Sequence, residues 1–263
     1  MKRAHEADRA NDLKDTSSKP APGGDLLALG PNIVCFGELV TIDGSEWTLR
    51  LQNFFIGDFH ALVGFIDGFE TFLPADRYVL VNAIGDGRTL VQAPSVTRDS
   101  TGYTVRCRVS PSFPRIAASD LPTDFALSPK NDLTLEKGNI AVVSGVAALP
   151  QKVRTCLSHQ KGESPFHTDF GTRLAEYYGV LRGSPWFEHL FKLEVIRQAA
   201  IPYSDIALNR QYTPLQCVER VFGIDVLADA PKDNWLPIRV DLGVKGIGRW
   251  QQEILICVPT NSP

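Results

Sequence analysis

Short runs of β-branched and aromatic residues, separated by turn pairs, dominate the chain from Asn32 to about Ile116. Residues 33–36, 39–42, 47–51, 78–81 and 103–109 each have the length and composition of a strand. In the last of these, Tyr103, Val105, Cys107 and Val109 alternate with Thr104, Arg106 and Arg108, the period-2 pattern of an antiparallel strand with one face in solvent. Asp43-Gly44, Asp86-Gly87 and Thr101-Gly102 punctuate the runs, so residues 31–126 are expected to form a small all-β sandwich or barrel. A proline-rich passage, from Pro111 through Pro114 and Pro122 to Pro129, reads as an extended connector.

Past the connector the pattern becomes mixed. Residues 132–135 and 140–143 read as strands flanking a Glu136-Lys137-Gly138-Asn139 hairpin turn. Leu149, Val153 and Leu157, spaced four apart, predict a helix over 149–158. A second helix is predicted over about 172–178, with Asp169 as its N-terminal cap and Gly179 just past its end. Ser184 and Pro185, favoured N-cap and first helical residues, open a third that runs to about Ala200 before Pro202. Its apolar residues, Trp186, Phe187, Leu190, Phe191 and Val195 among them, keep to no single stripe, which predicts a helix enclosed on more than one side. Thr213, Pro214 and Gln216 have capping-box spacing and predict a brief helix before a strand at 222–227. Ile238, Val240, Leu242 and Val244 then alternate with Arg239, Asp241, Gly243 and Lys245. After a Gly246-Ile247-Gly248 turn, Trp250, Ile254, Ile256 and Val258 keep the same period. The expected class is α+β: a β module at 31–126, then an α+β domain at 127–263 ending in an antiparallel sheet.

Composition narrows the function classes. Residues 1–30 hold no aromatic side chain, five basic and five acidic ones, and are expected to be a solvated tail, disordered or ordered by a partner. The whole chain of 263 residues is 43% hydrophobic and 22% charged, enough for real cores. With 27 Lys plus Arg against 30 Asp plus Glu, it lacks the positive field that drives nucleic-acid or anionic-membrane binding. Cys35, Cys107, Cys156, Cys217 and Cys257 form no C-x-x-C pair and read as buried free thiols of a reducing compartment. No apolar stretch follows the basic residues at the start, and none reaches the roughly 18 residues of a membrane span, so neither export nor a span is expected.

The motifs of phosphate binding, the G-x-S-x-G elbow, H-E-x-x-H and C-x-x-C are all missing. Gly243-Val244-Lys245-Gly246-Ile247-Gly248 superficially suggests a glycine fingerprint, but it lies between two strands and opens no helix, so it is expected to be a hairpin turn. His159, His167 and Asp169 match no standard metal spacing, and no metal or cofactor is expected. Glu163 and Asp169 are the residue types that flank a glycosidic bond as acid and nucleophile or base. The same positions suit structural duties: Glu163, after Gly162 at a helix exit, accepts backbone hydrogen bonds, and Asp169 caps the next helix.

The run from Asp132 to Gly145, followed by Gln151, Leu157, Lys161-Gly162-Glu163 and His167-Thr168-Asp169-Phe170-Gly171, resembles the baseplate wedge and sheath-initiator proteins of contractile phage tails. This lysozyme-like family also has relatives in type VI secretion systems, and the likeness covers about residues 128–263. It implies a non-enzymatic structural protein of the virion baseplate, assembled in the host cytoplasm, with Gly162, Glu163, Asp169, Phe170 and Gly171 as structural motif residues. Where the family carries Glu-Pro-Arg before the first C-terminal strand, this chain has Val218-Glu219-Arg220-Val221; Glu219 and Arg220 are the candidate wedge contacts, without the proline. The implied partners are the tail sheath protein, baseplate wedge proteins, and central hub or tail tube proteins, with no nucleic acid and no membrane. The stretch Glu253, Ile254, Leu255, Ile256, Cys257 and Val258 is long, apolar and lightly charged, which suits strand addition by a sheath subunit. Two other functions stay open. One is a peptidoglycan-cleaving tail lysozyme using Glu163 and Asp169; the other is a host-surface or carbohydrate-binding β module, with Trp47, Tyr78 and Tyr103 as its aromatics.

Overall fold

The computed structural model describes residues 25–100, 102–165, 167, 170–205 and 209–259, except the side chain of Asp99. The chain is α+β and divides into two compact units, residues 1–112 and 113–263. The division falls ahead of the boundary expected near 126, because the connector belongs to the second unit. Its Ile116 amide donates to the Gln216 carbonyl at 3.2 Å, and its Ala118 amide donates to that of Lys245 at 2.9 Å.

Seven strands build one antiparallel sheet in the first unit: β1 (Asp25–Leu29), β2 (Val34–Asp43), β3 (Glu46–Ile56), β4 (Tyr78–Val81), β5 (Asp86–Thr89), β6 (Ser95–Asp99) and β7 (Gly102–Arg108). Their order is β5-β4-β1-β2-β3-β7-β6. Register shifts in the β2–β3 ladder add to the natural twist and curl the sheet. Leu90, just past β5, reaches Val109, just past β7, in a single antiparallel bridge. One bridge is not a ladder, so the barrel is not closed. The concave side gathers Leu27, Leu29, Trp47, Leu49, Leu51, Val79, Val81, Val105 and Cys107 against Leu62 and Phe65 of helix α1 (Phe59–Asp67).

Two elements here depart from the sequence reading. β1 lies within the segment expected to be a tail; Leu26, Leu27 and Leu29 are each 1% exposed, an apolar run that averaging over thirty residues conceals. The rest of that tail, residues 1–24, lies outside the described residues. Helix α1 was not expected at all. Its signal was the Asp58 carboxylate, which accepts the Ala61 amide at 2.7 Å, ahead of Leu62 and Phe65 at helical spacing.

The second unit opens with small paired strands: β8 (Asp124–Phe125) with β11 (Val142–Val143), and β9 (Leu135–Glu136) with β10 (Asn139–Ile140). The β9–β10 turn puts Lys137 and Gly138 at φ of 51° and 85°, the left-handed pair of a tight hairpin. Helix α2 (Leu149–Ser158) falls on the predicted span. Helix α3 (Leu174–Leu181) starts later than predicted, because Thr172 is held in an extended bridge with Gln160 and its amide donates to the His159 carbonyl at 2.8 Å. Gly179 sits inside α3 rather than past it. Helix α4 (Trp186–Ala200) starts one residue later than expected, with Pro185 rather than Ser184 at its N-cap; the Ser184 hydroxyl accepts the Trp186 amide at 3.3 Å, and buried residues occur all round, as expected.

Strands β12 (Tyr203–Asp205) and β13 (Arg210–Tyr212) pair next. Residues 213–217 then make a turn rather than the predicted helix, for β14 (Val218–Val226) begins after a single Val218-to-Leu215 hydrogen bond. The C-terminal sheet has the order β14-β15-β16, with β15 (Trp235–Val244) and β16 (Gly248–Cys257) joined by the Gly246 turn. Ile238, Val240, Leu242 and Val244 are all buried, as their alternation predicted, and Leu236 extends the same buried row; α4 packs against β14 and α2 against β16.

Candidate assembly surface

The loop between α2 and α3 carries the motif residues. Gly162 turns the chain at φ 84°, and the Glu163 carboxylate folds back to accept the Gln160 amide at 3.0 Å, with Nδ1 of His159 3.7 Å away. Phe170 packs its ring against those of His159, at 4.8 Å, and Tyr203, at 5.3 Å. Gly171 is required: at φ 99°, a Cβ there would meet the Gln160 carbonyl at 2.5 Å. Its own carbonyl accepts from Arg197 and, at 2.5 Å, from Nε2 of Gln198. Arg197 also donates to Glu194 through Nε at 3.2 Å and Nη2 at 2.9 Å, and both side chains are under one-tenth exposed. A buried ion pair therefore pins the loop. Asp169, read as a helix cap or as a second catalytic carboxylate, lies outside the described residues. Among the described residues no three His, Cys, Asp or Glu side chains gather as a metal site.

The C-terminal sheet has one polar face. Arg239 on β15 reaches Glu253 on β16 at 2.8 Å and Asp225 on β14 at 3.8 Å. Asp241 accepts from Arg249 at 2.5 Å and from Gln251 at 2.9 Å, and the Arg249 guanidinium beside it holds its carboxyl below the usual range. Arg249 in turn lies 5.2 Å over the Phe222 ring, which crosses β15 where Gly243 leaves room. The sequence reading did not single out Arg239, Asp241 and Arg249, although the hairpin register set by the Gly246 turn puts Arg239 opposite Glu253 and Arg249 diagonal to Asp241.

The two edges of this sheet differ. On β14, the Val218 carbonyl accepts from Nε of Arg115 at 2.7 Å, and the Val226 amide donates to Glu188 at 2.8 Å, so both ends of that edge are engaged. A register shift between Val218 and Arg220 leaves Glu219 and Arg220 consecutively exposed, which is how the candidate wedge contacts reach the surface. On β16, the Cys257 amide points away from β15 and donates to the Ser158 hydroxyl at 2.9 Å. The β15–β16 ladder runs without a shift from Trp235↔Cys257 to Val244↔Gly248. Backbone groups two apart point the same way, so the amides of Gln251, Glu253 and Leu255 also face outward, and among the described residues nothing pairs with them. Of the candidate sheath contacts, Ile254, Ile256 and Val258 turn inward and are 7%, 0% and 0% exposed; the side chains of Glu253, Leu255 and Cys257 lie on the opposite face.

In the first unit Trp47 and Tyr78 are core residues, 3% and 5% exposed, so of the three aromatics considered for surface binding only Tyr103 reaches solvent. Cys35, Cys107, Cys156 and Cys217 are buried free thiols, as expected, whereas Cys257 is partly exposed; burial raises all five, with Cys107 and Cys156 pushed up to about 12. Comparison of the chain with protein-family models, with curated proteins and with solved structures finds no match.

Proposed function

We propose that this chain is a structural component of a contractile-tail baseplate, joining the wedge and nucleating the tail sheath by offering a sheet edge to the first sheath ring. The observation that carries the reading is the open edge of β16, a ten-residue strand whose outward amides at Gln251, Glu253 and Leu255 have no partner among the described residues. An unpaired edge of this length is a liability in a free protein and an asset in one that adds a partner's strand. Glu219 and Arg220, exposed on β14 at the far side of the sheet, serve the wedge in this reading, while hub or tube proteins lie beyond it.

The test is sheath polymerisation on baseplates carrying Glu253→Pro or Glu253→Ala. Proline removes one outward donor without breaking a β15 bond, so both variants fold. Glu253→Ala is expected to support sheath growth and Glu253→Pro to abolish nucleation; equal growth on the two contradicts the proposal. Deleting residues 249–263 is a poorer test, since it removes the entire β15–β16 ladder and the buried Ile254, Ile256 and Val258.

A further inference from the structure

The first unit carries an open depression of about 400 Å³ where β3, α1 and the β6–β7 hairpin meet. Its shape follows from local sequence. The β3–β7 register ends at Leu51↔Tyr103, and Gly102 allows the turn there because a Cβ would meet the Leu51 carbonyl at 2.4 Å. β3 runs on to Ile56, and Gly57, at φ 78°, swings the chain into α1. That turn lays Phe59 on the Tyr103 ring, nearly parallel, with centroids 4.8 Å apart; Phe54 closes the wall at 6.0 Å.

Arg98 stands directly across from Tyr103 in the β6–β7 register, its guanidinium 5.6 Å from the ring centroid. It forms no ion pair with a described side chain, so the ring steadies the group while its donors stay available. Gln52 and the exposed Asn53 add side-chain amides to the rim. Each amide both donates and accepts, as a sugar hydroxyl does. The volume lies within the range of small-ligand sites, and the packed aromatic wall needs no ordering to receive a ligand.

From this combination we infer that the depression binds an acidic saccharide. The carboxylate of a uronic-acid unit pairs with Arg98, the ring hydroxyls meet Gln52 and Asn53, and the apolar face of the sugar lies on Phe54 and Phe59. A peptide fits less well, because β3 offers only five residues past the register before Gly57 turns it away, too short an edge for strand addition.

Isothermal titration of the full chain tests this with three probes: a glucuronic-acid-terminated disaccharide, its neutral glucose counterpart, and a pentapeptide carrying one glutamate. The acidic disaccharide is expected to bind about tenfold more tightly than the neutral one, the discrimination of one charge-assisted contact at a partly exposed site. Arg98→Gln is expected to erase that preference, and Asn53→Ala to weaken both sugars. No binding of the acidic disaccharide at about 10 mM, binding that Arg98→Gln leaves unchanged, or a peptide that binds as well as the sugar each overturns the assignment.

Discussion

Glu194 and Arg197 show how single residues hold this molecule. Removing one member of a buried ion pair strands the other without a partner, so Arg197→Ala is expected to cost about 3–5 kcal/mol in denaturant unfolding. Replacing both, Glu194→Leu with Arg197→Met, is expected to cost less, which separates the stranded charge from lost packing. The buried thiols make a pH prediction. Their folded pKa values lie above the ordinary 9.0, with Cys107 and Cys156 at about 12, so below pH 9 their contribution to stability is fully present. It is lost as pH rises toward about 12, because the unfolded chain releases those protons first. The denaturation midpoint is expected to fall over that interval, and to fall less steeply in a Cys107→Ala, Cys156→Ala variant. A midpoint constant from pH 8 to about 11 would contradict this.

At the scale of elements, hydrophobic periodicity carried the strongest signals. The period-2 runs around Val240 and Ile254 and the fourfold spacing of Leu149, Val153 and Leu157 sit where their patterns put them, because burial on one face decides both. Elements failed where tertiary contacts decide. The box at Thr213 and Gln216 had no room to become a helix before β14, and Thr172 was drawn into a bridge rather than into α3. For the candidate surface, the sequence pointed to the strand at 253–258 and to strand addition at a sheet edge, but not to which backbone groups that edge leaves open. Which edge stays open depends on Arg115 and Glu188 engaging β14 while, among the described residues, Ser158 alone bonds the outward amides of β16, contacts made by segments far away in the chain.

For the whole molecule, two units with separate cores replace the expected β module and wedge domain with a shifted boundary. The Ala126 amide donates to Ala141 at 2.8 Å and the Leu127 amide to Gln151 at 2.7 Å, whereas Pro111 and Ser112 are exposed. Limited digestion with a protease of broad specificity is therefore expected to cut between Ser110 and Phe113 before it cuts at 126–129. Function, in this account, rests on one edge of the second unit, and backbone hydrogen exchange across β16 reads that edge directly. In the free protein the amides of Gln251, Glu253 and Leu255 are expected to exchange fast and those of Gln252, Ile254 and Ile256 slowly; on addition of sheath protein the fast set becomes protected. Equal protection along β16 in the free protein, or a fast set left unprotected by sheath protein, would contradict the account.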